Sequence, residues 1–232
     1  MKLDYSVLVV GACVMLLPAA DEADSYSDLV NSVLLAQLAA SKKVEKSQGT
    51  DWYDAYIQLM DDYWLRYARA RQDWSNNEGD VESVGEWISG AISKGDPENT
   101  SAAVVTLQRL AQLSGAGPVM SLLRAHVQGT VSVPGEALAP AGAVRLLVII
   151  ASTPMRISSA YVELKVHASI DRNPLAQHFE ARDIQGAVCL RYAKASLSET
   201  LYGPVRDAIA LKVRDRHEAH VLKMAVEEWR DA

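Results

Sequence analysis

The hydrophobic side chains of this chain change their period part-way along, and that change limits the folds open to it. Up to about residue 128 most of them recur every three or four positions, the spacing of helices buried on one face; beyond residue 142 they run together or alternate, the spacing of strands. Helices early and strands late predict an α+β fold: a helical N-terminal half packed on a small antiparallel sheet from the C-terminal half, with a C-terminal helix. The 232 residues divide accordingly into a mainly helical subdomain over 1–128 with an N-terminal strand, a connector over 129–142, and antiparallel strands followed by a helix over 143–232. The connector carries Gly129, Pro134, Gly135, Pro140 and Gly142 with no sustained period.

The clearest helix has Leu29, Val30, Val33, Leu34 and Leu38 on one face, with Asp21, Glu22 and Asp24 before it and Lys42, Lys43 and Lys46 at its end, as the helix dipole favours. Thr50 is placed to cap the next, which is read as running through Trp52, Tyr56, Met60 and Tyr63 to Trp74. Asp80 or Ser83 opens a short helix around Trp87 and Ile92, Thr100 one bearing Leu107 and Leu110, and Pro118 one bearing Leu122 and Leu123. Strands are expected at 144–151, 160–167 and 188–193. After Gly203-Pro204, the run from Val205 to Ala232 without Gly or Pro reads as a helix, although Ile209, Leu211 and Val213 also fit a strand.

The N-terminus supports two readings. Lys2, the apolar run Val7–Leu17 and Pro18-Ala19-Ala20-Asp21 imitate a secretory signal, but Asp4 offsets Lys2. The alternation of Leu3, Tyr5, Val7 and Val9 with Asp4 and Ser6 fits a strand entering a covered sheet, which is the preferred reading. It goes with a cytoplasmic location; secretion is the alternative. The run is too short for a membrane helix of about 20 residues. Cys13 and Cys189 sit in apolar surroundings and suit a reducing compartment.

Function classes fall away by charge and by motif. A net charge of -6, from 29 acidic and 23 basic residues, opposes attraction to nucleic acid, and no nucleic-acid partner is expected. There is no phosphate-binding GxxxxGK[ST], no GxSxG, no CxxC and no HExxH, and no cofactor or metal is implied. The weaker constellations each have a structural reading. Gly115-Ala116-Gly117-Pro118 ends one helix and opens another; His217 and His220 share a helix face without a third ligand and read as solvated; Cys189 packs. A carboxylate pair of Asp61 with Asp62, or of Asp54 with Asp61, competes with a helical Asp62–Arg66 ion pair. For an enzyme without a familiar motif, His167, His178, Glu180 and Asp183 form the search set.

Aromatic clustering is the most informative feature. Four of the five Trp, namely Trp52, Trp64, Trp74 and Trp87, lie close together with Tyr53, Tyr56, Tyr63 and Tyr67. Trp and Tyr join an apolar body to a polar tip, which suits a surface half-buried against a partner, although burial inside the fold is the simpler reading. The sequence therefore points to a non-enzymatic protein-binding or self-associating protein, with Trp52, Tyr56, Tyr63, Trp64, Tyr67, Arg66, Arg69 and Trp74 as the contact surface and a protein partner or a second copy as occupant. A membrane-acting or toxin-like protein, refolding Val7–Leu17 or Val144–Ala151 into lipid, is the alternative.

Overall fold

The computed structural model describes residues 4–47, 49–74, 82–95, 100–130, 142–166, 170 and 173–225. Its centre is one eight-stranded sheet, much larger than the sheet expected from the C-terminal half alone, and the α+β class holds. The apolar N-terminus forms a hairpin in place of the single strand expected: β1 (Tyr5–Val10) and β2 (Cys13–Pro18) pair antiparallel across a turn at Gly11 and Ala12. β6 (Gly142–Thr153), β7 (Arg156–Val166) and β9 (Ile184–Leu197) realise the three late strands and extend them. The sheet is also not purely antiparallel, because β2 lies parallel to β6.

Helices cover both faces. On one lie α1 (Ser27–Lys46) and α2 (Trp52–Met60), with α7 (Arg206–Val213) beside them; on the other lie α3 (Val84–Gly95), α4 (Ser101–Gln112) and α5 (Pro118–Val127). Strand alternation divides the core. Val144, Leu146, Val148 and Ile150 of β6 face α3–α5, whereas Leu147, Ile149 and Ala151 face α1 and α2. A strand covered on both faces is apolar at nearly every position, which is why Leu146–Ala151 and Val7–Leu17 read as near-continuous hydrophobic runs.

Several helix boundaries follow local chemistry. Asp51, not Thr50, caps α2: its Oδ1 accepts the Asp54 N–H at 2.8 Å. Ser83 opens α3 with a reciprocal box, its Oγ accepting the Glu86 N–H at 3.2 Å while the Glu86 carboxylate accepts the Ser83 N–H at 2.6 Å. Pro118 takes the first turn of α5, where its missing N–H costs nothing. A two-stranded pairing of β4 (Glu82–Ser83) with β8 (His178–Phe179) lies apart from the main sheet, and β5 (Gln128–Thr130) pairs with the start of β6. Most of the 129–142 connector falls outside the described residues.

The expected C-terminal helix is broken. Short helix α6 (Glu199–Tyr202), α7 and α8 (His217–His220) are separated by tight 3-10 turns at Gly203–Val205 and Arg214–Arg216, and the chain then extends as β10 (Val221–Lys223) against β1. Pairing with the open edge of β1 satisfies backbone groups that continued helix would leave exposed there. The end of the expected helix, toward Trp229, lies outside the described residues.

Candidate binding surface

The Trp52–Trp74 segment is not one helix. α2 stops at Met60, Asp61–Tyr63 turn, and β3 (Trp64–Trp74) continues as an 11-residue strand. Aromatic spacing suggested a helix, but hydrogen bonding to the long strand β9 decides the conformation, as tertiary context commonly does for short segments. An Asp62–Arg66 pair along a helix therefore does not form. Arg66 instead holds Asp61, with its Nε 2.6 Å from Oδ1 and its Nη2 2.5 Å from Oδ2. Asp61 is thus engaged by a guanidinium instead of pairing with Asp54.

This division separates the eight residues into core and surface. Trp52, Tyr56 and Trp64 are buried. The Trp52 ring stacks on Tyr56 at 5.5 Å and on Tyr161 at 5.7 Å, and its Nε1 donates to Ser41 Oγ at 3.1 Å. Trp64 Nε1 donates to Ser32 Oγ at 3.1 Å, so both indoles satisfy their one polar atom inside the molecule. Burial raises the Tyr56 hydroxyl pKa well above its ordinary value. Half-buried Tyr63 meets the Tyr202 ring edge-on at 5.7 Å, and Trp74 meets Trp87 edge-on at the same distance.

Tyr67 and Arg69 stay exposed, and Tyr67 keeps 63% of its surface in solvent. They lie at one edge of the sheet: among the described residues the strand order is β10-β1-β2-β6-β7-β9-β3, and β3 is the last strand. A bulge between Arg66 and Ala68 sets Tyr67 out of register and reverses the alternation, so that Trp64 packs toward α1 and α2 while Trp74 packs toward α3. Leu65, 54% exposed, and Arg71, whose Nε lies 2.6 Å from Asp73, complete the surface. Both fall outside the eight-residue contact surface, although Arg71 belongs with Arg66 and Arg69 to the most basic stretch of the sequence; the strand signal is Ala68-Arg69-Ala70-Arg71, which alternates with period two. Arg69 has no ion-pair or hydrogen-bond partner among the described residues.

The other sequence candidates do not assemble into a catalytic set. His217 and His220 diverge, the first to Asn31 and the second to His126, and both are half-buried where solvation was expected. Among the described residues no group of three or more His, Cys, Asp or Glu is placed to hold a metal ion. Burial, followed by a hydrogen bond with Asp73, pushes the Cys189 thiol pKa up to about 11, so the nucleophilic thiolate is scarce. Glu180 is bound to Arg182 at 2.8 Å, its N–H donates to Asp183 Oδ2 at 3.1 Å, and His178 stands 3.9 Å from Glu86. These groups serve a turn and an exposed ion pair; His167 lies outside the described residues.

No family model matches the chain, and no curated protein matches it. Among solved structures it is similar to one titled "DELTA-ENDOTOXIN", with a TM-score of 0.41 and 9% identity over 79% of this chain and 81% of that one. A second, "Structure of the Evf virulence factor", has a TM-score of 0.34 and 10% identity over 94% of this chain and 85% of that one. At those scores the likenesses carry no argument about function. Among the described residues no helix is long and apolar enough to cross a membrane, which says nothing of a β-barrel.

Proposed function

We propose that this protein is a binding module that receives an extended, acidic segment of a protein partner along β3. The observation behind the reading is the edge itself: 11 residues long, paired on one side by β9, and bearing Leu65 and Tyr67 more than half exposed beside Arg66, Arg69 and Arg71. An open edge offers a row of backbone donors and acceptors, and exposed side chains of alternating position supply selectivity. Asp61 holds Arg66 and Asp73 holds Arg71, so Arg69 is the cation of the strand with no ion-pair partner among the described residues, and its field favours a carboxylate-bearing partner.

A second copy fits this edge less well. Antiparallel pairing of β3 with itself at full overlap sets Arg69 opposite Arg69, and like charges directly across a ladder are destabilising. The test is titration calorimetry with an eight-residue peptide alternating Val and Glu, compared with its Val–Lys counterpart. The Val–Glu peptide should bind more tightly, and Leu65→Ala with Tyr67→Ala, which removes apolar contact without changing the charge, should weaken it severalfold without unfolding the protein. Equal binding of both peptides, or no effect of the paired substitution, would overturn the proposal; so would a mass that doubles with concentration through β3.

A further inference from the structure

The last described segment of the chain is attached to the sheet by few backbone bonds. β10 contributes three paired residues, Leu8↔Lys223, Val9↔Leu222 and Val10↔Val221, against 11 to 14 residues in β3, β7 and β9. Two backbone bonds flank that ladder: the Gly11 N–H donates to the His220 carbonyl at 2.7 Å, and the Met224 N–H donates to the Val7 carbonyl at 2.9 Å. Among side chains, Leu222 and the buried Met224 pack against the α3–α5 core and Val221 against the core on the other face, while the polar attachments are made by histidines. His217 Nε2 lies 2.9 Å from Asn31 Oδ1 on α1, and the His220 ring stacks on His126 of α5 with centroids 4.6 Å apart and planes 27° from parallel.

Each ring of that stack already uses one nitrogen. His126 Nε2 donates to the Ala219 carbonyl at 3.2 Å and His220 Nδ1 donates to the Arg216 carbonyl at 3.0 Å, which fixes the neutral tautomers with a bare second nitrogen on each. A polar cavity of about 360 Å³ opens onto the pair and admits water. The charged groups around it are Arg216 on the segment itself, Arg145 of β6, which is held by Glu163 at 2.8 Å, and Glu45 of α1 across the cavity; the turn at Gly11 and Ala12 brings none.

We infer that Arg214–Lys223 is an acid-released strap: protonation of the stacked His126 and His220 rings loosens α8 and β10 and uncovers the β1 edge of the sheet. In the closed state a second proton places two cations face to face, with Arg216 adding to the repulsion. His220 is accordingly held below its ordinary value of 6.5, first by burial and then by His126. The released strap takes up protons that the closed one resists, so closure is complete above about pH 6.5 and weakens as pH falls. Each proton gained on release shifts the equilibrium by up to about tenfold per pH unit.

Amide hydrogen exchange on the full chain tests this, with Gly11 and Met224 reporting the strap and Val148 and Val162 the central strands. Between pH 7.5 and 5.5, protection at Gly11 and Met224 should fall about tenfold or more while the central strands hold, and His126→Gln, which keeps a donor for the Ala219 carbonyl, should flatten that fall. Protection independent of pH would overturn the inference, as would an undiminished fall in His126→Gln or one abolished only by His217→Gln. Should His126→Gln fail to fold, ring titration of the native protein by NMR decides: His220 should titrate below its ordinary value, and titration at or above 6.5 would refute the inference.

Discussion

Gln37 clasps the hairpin turn at Gly11. Its Oε1 accepts the Ala12 N–H at 2.9 Å, its amide donates to the Val10 carbonyl at 2.8 Å, and a Cβ at position 11 would stand 2.7 Å from that Oε1. Gly11 also has φ +56°, a backbone state L side chains avoid. Gly11→Ala should cost about 2 kcal/mol through strain and the displaced amide, and Gln37→Leu about 2 to 3 kcal/mol by orphaning two buried backbone groups. Urea midpoints measure both; a loss under about 0.5 kcal/mol in each would contradict the clasp.

The aromatic segment should split by position. Trp64, 1% exposed, fills the space between α1 and the sheet, and Trp64→Ala should cost about 3 to 5 kcal/mol. Tyr67→Ala, three residues on, should stay within about 0.5 kcal/mol of the parent. Equal destabilisation by the two in urea unfolding would mean the segment is not divided into a core turn and a free edge.

Acid should weaken the start of α3. The Glu86 carboxyl is held below its ordinary 4.5, first by the Ser83 N–H and also by the Ser83 hydroxyl and His178. A depressed carboxyl pKa stabilises the fold above the unfolded value, and this contribution is lost as pH falls from there through the folded value. Glu86→Gln should therefore lose stability near pH 7 and match the parent at about pH 3, while Ser83→Ala should cost about 1 kcal/mol. A Glu86→Gln deficit that persists unchanged at pH 3 would rule out the charged box.

Neither thiol should react readily in the folded protein. With the Cys189 pKa at about 11, roughly one molecule in a thousand carries the thiolate at pH 8, and Cys13 is fully buried. Alkylation by iodoacetamide should be slow until denaturant is added. Rapid labelling of Cys189 in the native state would reopen a nucleophilic role for it.

Much of this fold is legible where one pattern has one physical cause. The charge gradient from Asp21 to Lys46 and the apolar stripe between them specify α1, and the alternation around Val162 specifies β7. The N-terminal hairpin was hidden because both its strands are covered on both faces, leaving no polar alternation to mark the turn except Gly11. Non-local pairing hid the rest. Trp64–Trp74 takes strand form because β9 is there to receive it, and Val221–Lys223 because β1 is. Of the eight residues proposed for contact, burial draws Trp52, Tyr56 and Trp64 into the core and leaves Tyr67 and Arg69 outside. That separation depends on where the helix ends, and spacing alone does not encode it.

The most direct measurement is residue-resolved amide exchange across Leu65–Trp74 with and without saturating Val–Glu peptide. Strand addition predicts new protection at alternate β3 amides, those turned away from β9, with β9 and β7 unchanged. Saturable binding that leaves every β3 amide exchanging at its free rate would contradict the account and place the contact elsewhere.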